Sequence, residues 1–264
     1  MGTRARATAA AAAVFLLCAS MSARADDTAD SVIACMRANV PTAVRVEDIE
    51  MDATDKAGNT RNMKGKLLVG SDKGLSRARL RMSSPADLAG AGYLMREAEA
   101  GAEDQMWVYL PSVGRVRRIT GSGADGSLLG TDFSYGDFKE ISSAFSGSDT
   151  QLDAGGDIEG RGTWLLKMTP RAGQASRYNH IRAWVDKQTC VALKVDFDVN
   201  DQPAKELKAT VAGLKQAGKY WYASEVEAHD LQTGTQTRLR VVGLTPAQSI
   251  PSGTFDPHSF FMDN

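Results

Sequence analysis

Along most of the chain, apolar and polar residues alternate with a period of two. Ile49, Met51 and Ala53 share one parity in VEDIEMDAT, as do Met63, Gly65, Leu67 and Val69 in NMKGKLLVG. LSRARLRMS puts Ala78, Leu80 and Met82 on one face and Arg77, Arg79 and Arg81 on the other. The second half keeps the pattern with Trp164, Leu166 and Met168, then with Ile181, Ala183 and Val185. Val191, Leu193, Val195 and Phe197 alternate with Lys194, Asp196 and Asp198, and Tyr220, Tyr222 and Val226 follow. Such alternation reads as strands with one buried face. Turn signals such as DKAGN, SDKG, NDQP and LQTG separate the runs. The pattern predicts an antiparallel meander of about 10–11 strands, with no helix–strand alternation of the parallel kind. One helix precedes it. In TADSVIACMRANV, residues 28–40, Val32, Ile33, Met36 and Val40 form a stripe, and Pro41 ends it.

A one-sided sheet of this length must curl or split to bury its apolar face. That face is rich in large, flexible or aromatic groups: Met51, Met63, Met82, Trp164, Met168, Tyr220 and Tyr222. Two interiors fit this composition, an ordinary close-packed core and an adaptable apolar cavity.

The first 25 residues change the compartment. Arg4 and Arg6 precede a short apolar run, Ala7–Cys18, and Ala23-Arg24-Ala25 is a cleavage site of the A-x-A type. Cleavage after Ala25 leaves residues 26–264 as a single exported domain starting at Asp26, placed in the periplasm. Leu17 before Cys18 argues against a lipidated cysteine, and the apolar run is too short to span a bilayer. Cleavage removes three of the 31 basic residues and none of the 32 acidic ones, leaving 28 against 32, a formal charge of −4. That balance speaks against a nucleic-acid partner. Cys35 and Cys190 remain. In an oxidising compartment they form either a disulfide or two buried thiols.

Candidate chemistry is sparse. GSGADG spells G-x-G-x-x-G at Gly121, Gly123 and Gly126 and follows the strand-like VRRI, but SLLGTDFSYGDF comes next, with no helix directly after the glycines. A dinucleotide loop requires that helix and a βαβ unit, so nucleotide binding is not expected. His180, His229 and His258 lie far apart without a ligand partner at zinc spacing. There is no C-x-x-C and no G-x-S-x-G. Ser134 lies between Asp132 and Asp137 without a nearby histidine. No catalytic residue, metal or cofactor is assigned.

The stretch WVYLPSVGRVRRI, followed by LLGTDFSYGDF, resembles a block in the periplasmic outer-membrane lipoprotein-sorting-like proteins, relatives of the LolA carriers, in their branch without an assigned function. The matching residues are Tyr109-Leu110-Pro111, Arg115-Val116-Arg117-Arg118-Ile119 and Gly130-Thr131-Asp132-Phe133-Ser134-Tyr135-Gly136-Asp137. The resemblance runs from the first helix to the end and includes WVDKQTCVALKVDF. It implies a mainly β fold: a half-open antiparallel barrel covered by the N-terminal helix and short helices, with an apolar cavity for acyl chains. It also implies a monomeric, non-enzymatic role in moving lipids or lipoproteins, often beside an inner-membrane exporter of the resistance-nodulation-division type. With such a cavity, the candidate wall is Leu80, Met82, Trp164, Leu166, Met168, Val191, Leu193, Val195, Phe197, Tyr220 and Tyr222. The alternative is an envelope scaffold or accessory exporter subunit that carries nothing, and a hydrolase is a third class. Within the motif, Arg117 or Arg118 either pairs with Asp132 or Asp137 to clamp a loop, or meets a lipid phosphate.

Overall fold

In the computed structural model, which describes residue 2 and residues 27–99, 102–144, 148–170, 176–247, 251 and 253–262, the chain starts with α1 (Ala29–Arg37). Thr28 caps this helix reciprocally with Ser31, and its apolar stripe buries Val32 and Met36. Nearly all of the leader, with Cys18 and the cleavage site, lies outside the described residues.

Six strands follow in order: β1 (Arg45–Thr54), β2 (Thr60–Asp72), β3 (Leu75–Ser84), β4 (Gly92–Arg96), β5 (Gln105–Leu110) and β6 (Arg115–Ile119). A 3₁₀ turn, Gly121–Asp125, and α2 (Tyr135–Ser142) lead to β7 (Asp149–Ile158), β8 (Arg161–Thr169), β9 (His180–Asp186), β10 (Ala192–Val199) and β11 (Gln202–Lys208). The chain ends with β12 (Leu214–Ala217), β13 (Tyr220–Ala223), β14 (Glu225–Asp230) and β15 (Thr235–Pro246). Among the described residues, thirteen strands form one antiparallel sheet in the order β6-β5-β4-β3-β2-β1-β15-β14-β11-β10-β9-β8-β7, and β12–β13 is a separate hairpin. Because β6 and β7 end the sheet unpaired with each other, the barrel is half-open. Its architecture is therefore the expected one.

The strand count exceeds the 10–11 expected, for local reasons. β7 is an edge strand whose residues are exposed or half-buried, so it carries no apolar alternation. KYWYASEVEAHDL is two strands, β13 and β14, broken at the buried Ser224. The pairing of β1 with β15 joins the two halves of the sheet.

The inner face holds the core. Met51, Met63, Leu80, Met82, Tyr93 and Met95 from β1–β4 meet Leu166, Met168, Ile181, Val185 and Phe197 from β8–β10 in one buried cluster. Between the edges β6 and β7, residues 120–144 cross this face and bury Leu128, Leu129, Phe133 and Phe138 in the same cluster.

The outer face is not uniformly wet. Arg77 and Arg79 are 9% and 8% exposed, because the C-terminal segment covers β3. Arg79 Nε and Nη2 donate to the Phe260 and Met262 carbonyls, and Arg81 Nε donates to that of Phe261 at 3.0 Å. Phe260 is fully buried, and a Cβ on Gly92 would come within 3.1 Å of its ring, so glycine is what admits that ring. The acids of β10 behave alike: Asp196 and Asp198 are buried on the outer face, where Arg182 bonds Asp198 at 3.0 Å.

Cys35 of α1 and Cys190, in the turn between β9 and β10, form a disulfide with a Cα–Cα distance of 5.7 Å. It ties the helix to the sheet.

Candidate functional site

A cavity of about 250 Å³ lies between the inner face and the elements that cross it. Leu67 and Val69 of β2, Val195 of β10, Leu207 of β11, and Leu239 and Val241 of β15 form its floor. Met36 and Val40 close one side, Phe138 and Ala144 another, and Trp221 and Tyr222 of the β12–β13 hairpin a third. The hairpin is held in place by polar bonds. Asn39 Oδ1 accepts from the Trp221 N–H at 2.8 Å while its Nδ2 donates to the Thr189 carbonyl at 2.7 Å. The Thr42 hydroxyl lies 3.0 Å from the Tyr220 hydroxyl.

Arg45 and Glu47 form an ion pair with both members in this mostly apolar wall. Arg45 and Glu47 have the parity of Ile49 and Met51, so β1 turns both inward, next to Val69 and Leu67 of β2. Arg45 Nε and Nη2 both reach Glu47 Oε1 at 2.6 Å, and the guanidinium lies 5.0 Å from the Tyr222 ring centroid. Burial pushes the Glu47 carboxyl above its ordinary value, and Arg45 offsets this only in part.

Of the positions assigned to the wall from sequence, Val191, Leu193, Val195 and Tyr222 line the cavity. Leu80, Met82, Leu166, Met168 and Phe197 do not; they are between 0% and 2% exposed and belong to the close-packed core. Trp164 is half-buried and donates from Nε1 to Asp27 at 2.7 Å, and Tyr220 faces Thr42. Alternation gives the face of a residue, not whether the space above it is filled. Crossing elements fill it over β3 and β8. Arg45, Glu47, Leu207 and Val241 were missed. Extending the parity of Ile49 back two and four residues would have found the first two.

The motif residues have a different task from the one expected. Arg117 and Arg118 are exposed on edge strand β6 and do not clamp the carboxylates. Asp132 instead accepts from the hydroxyls of Thr235 and of Thr237, the latter at 2.6 Å. Asp137 is fully buried, pairs with the buried Lys205 of β11, and caps α2 reciprocally with Ser134. The Tyr135 carbonyl accepts from the Tyr93 hydroxyl at 3.0 Å. Gly130 supplies a positive φ of 84°. Tyr109 stacks on Phe261 at 4.1 Å, and Pro111 lies beside Gly90. The block thus fastens the crossing segment to β4, β11 and β15, and its first part meets the C-terminal segment. The GSGADG stretch is the 3₁₀ turn that starts the crossing.

Among the described residues, no group of three or more His, Cys, Asp or Glu is placed to hold a metal. A second, more open hollow of about 660 Å³ is lined by Arg77, Arg96, Asp72, Val44 and the segment after β15, so its wall mixes charged and apolar groups.

A family model described as "Uncharacterized protein" matches residues 74–260. No curated protein matches the chain. Three solved structures are similar along most of their length. An outer membrane lipoprotein-sorting protein domain from Vibrio parahaemolyticus is 23% identical, with a TM-score of 0.77 over 87% of this chain and 97% of that one. A DUF1329 family protein from Desulfovibrio piger is 22% identical, with a TM-score of 0.77 over 85% and 94%. A LolA superfamily protein from Nitrosomonas europaea is 16% identical, with a TM-score of 0.67 over 87% and 97%. The fold is LolA-like.

Proposed function

We propose that this chain, which belongs to the "Uncharacterized protein" family whose model spans residues 74–260, is a periplasmic, non-enzymatic binding protein that shelters acyl chains of a lipid or lipoprotein. Residues 26–264 act as one domain after removal of the leader. The observation that carries this reading is the 250 Å³ apolar cavity beneath α1, α2 and the aromatic hairpin. Each methylene buried there is worth about 0.8 kcal/mol, so a chain can be held without any catalytic group. Small-molecule sites span roughly 300–1,000 Å³, so the cavity as it stands suits part of one acyl chain, and a second chain requires the cover to shift. A carrier needs such a space, whereas a scaffold for an exporter does not. The lipoprotein sorting attributed to the Vibrio parahaemolyticus domain is in keeping with this role.

The test is uptake of a fluorescent acyl ester by the mature protein and two variants. Val241 is half-buried in the cavity wall, and Val241→Trp is expected to weaken uptake about tenfold with little loss of stability, since a cavity has room. Leu166, fully buried away from the cavity, is the control. Leu166→Trp overpacks the core and costs about 1–3 kcal/mol. No uptake by the parent protein would end the carrier reading.

A further inference from the structure

Arg45 uses only two of its three guanidinium nitrogens. Nε and Nη2 hold Glu47 at 2.6 Å, while Nη1 is buried with no hydrogen-bond partner among the described residues. The side chain is 11% exposed and lines the cavity. Arg45 is fixed from three sides: by Glu47, by the Tyr222 ring 5.0 Å away, and by its register opposite Val69 and Pro246. A charged donor left dry in an apolar wall is unfavourable until an acceptor reaches it. A ligand in the cavity brings that acceptor only if it carries an oxygen beside its apolar chain.

We propose that Arg45 selects the ligand, and that its Nη1 donates to the uncharged carbonyl oxygen of an acyl ester or amide whose chain lies in the cavity. This rests on the acyl-binding reading above and narrows it. Glu47 decides between acceptors. It already neutralises Arg45, so a free carboxylate would add a second buried negative charge within reach of the first, and like charges repel. A carbonyl takes the same hydrogen bond without adding charge. The preferred ligands are therefore esterified or amidated acyl chains, as in a glycerolipid or an acylated cysteine, over free fatty acids.

The probes are parinaric acid methyl ester, parinaric acid and the hydrocarbon diphenylhexatriene, titrated at neutral pH. Wild type is expected to bind the ester about tenfold more tightly than the acid. Arg45→Lys keeps the charge and the partner of Glu47 but has no second arm for the ligand. It should lose about tenfold in ester affinity, which is about 1.4 kcal/mol, and change diphenylhexatriene binding far less. Arg45→Met with Glu47→Met replaces the pair by apolar groups, a change that folds often tolerate. It should still bind hydrocarbon and lose the preference for ester over acid. Displacement of the ester probe by phosphatidylglycerol or by a triacylated cysteine peptide tells the glycerolipid source from the lipoprotein one. If ester binding is the same in wild type and both variants, or if wild type binds acid as tightly as ester, the role of Arg45 is refuted while the cavity stands. If wild type takes up neither ester nor hydrocarbon, the acyl-binding reading falls and this inference falls with it.

Discussion

Asp186 ends β9 fully buried and holds the turn that carries the disulfide. Its carboxylate accepts from Arg161 Nη2 at 2.6 Å and from the Thr189 N–H at 3.0 Å. Burial raises its pKa, but these bonds outweigh it and hold the carboxyl below its ordinary 3.8. A lowered acid adds stability above its unfolded value and loses it as pH falls through the folded one. Asp186→Asn should thus cost about 2 kcal/mol at neutral pH, the size of hydrogen bonds to a charged group. The gap between variant and wild-type melting temperatures should narrow below pH 3.8; a gap that stays constant down to strong acid would contradict this assignment. Such partners are hard to read from a sequence. Asp132 and Asp137 were visible as carboxylates in a dense motif, but Thr235, Thr237 and Lys205 sit 103, 105 and 68 residues away. The arginines of the same motif block, Arg117 and Arg118, are on an edge strand and stay in water, where exposed arginines also discourage pairing with another sheet.

Among the elements, strands with one buried face were legible because alternation is a direct image of a two-sided sheet. The sequences of β1, β2, β3, β8, β9 and β10 all follow it, although β3 and β10 also bury charged residues on the outer face. β7 and β12 were not, since neither buries a face. The crossing segment was hidden for another reason. Its apolar residues follow no period, because it is fastened by side chains at single points. The strongest of these is the Asp137–Lys205 pair, 0% and 3% exposed at the side chains. Lys205→Met would leave the buried Asp137 carboxylate without its ion-pair partner, at a cost of about 3–5 kcal/mol. Urea denaturation should show that loss, and amide exchange in α2 should quicken with it. An unchanged unfolding midpoint would mean that the pair does not hold α2.

At the scale of the whole molecule, the half-open barrel depends on contacts that no local pattern encodes. β1 meets β15 across most of the chain, with Glu50 accepting from Arg240 190 residues later. The disulfide spans 155 residues, and in the chain-entropy account a loop of that length restricts the unfolded state by about 5 kcal/mol, less any native strain. Fold class could be read from the meander and the motif block. The position of the cavity could not, because it depends on which parts of the inner face α1, α2 and the hairpin leave unfilled. The central claim is that this unfilled space carries acyl chains. Native mass spectrometry of the protein purified from the cells that make it, without detergent, tests it most directly. The expected spectrum shows a population heavier than the bare chain by the mass of an acylated molecule, which organic extraction removes and Val241→Trp depletes. A spectrum of bare protein alone, from cells in which the chain is captured on a membrane exporter, would contradict the claim and favour the scaffold.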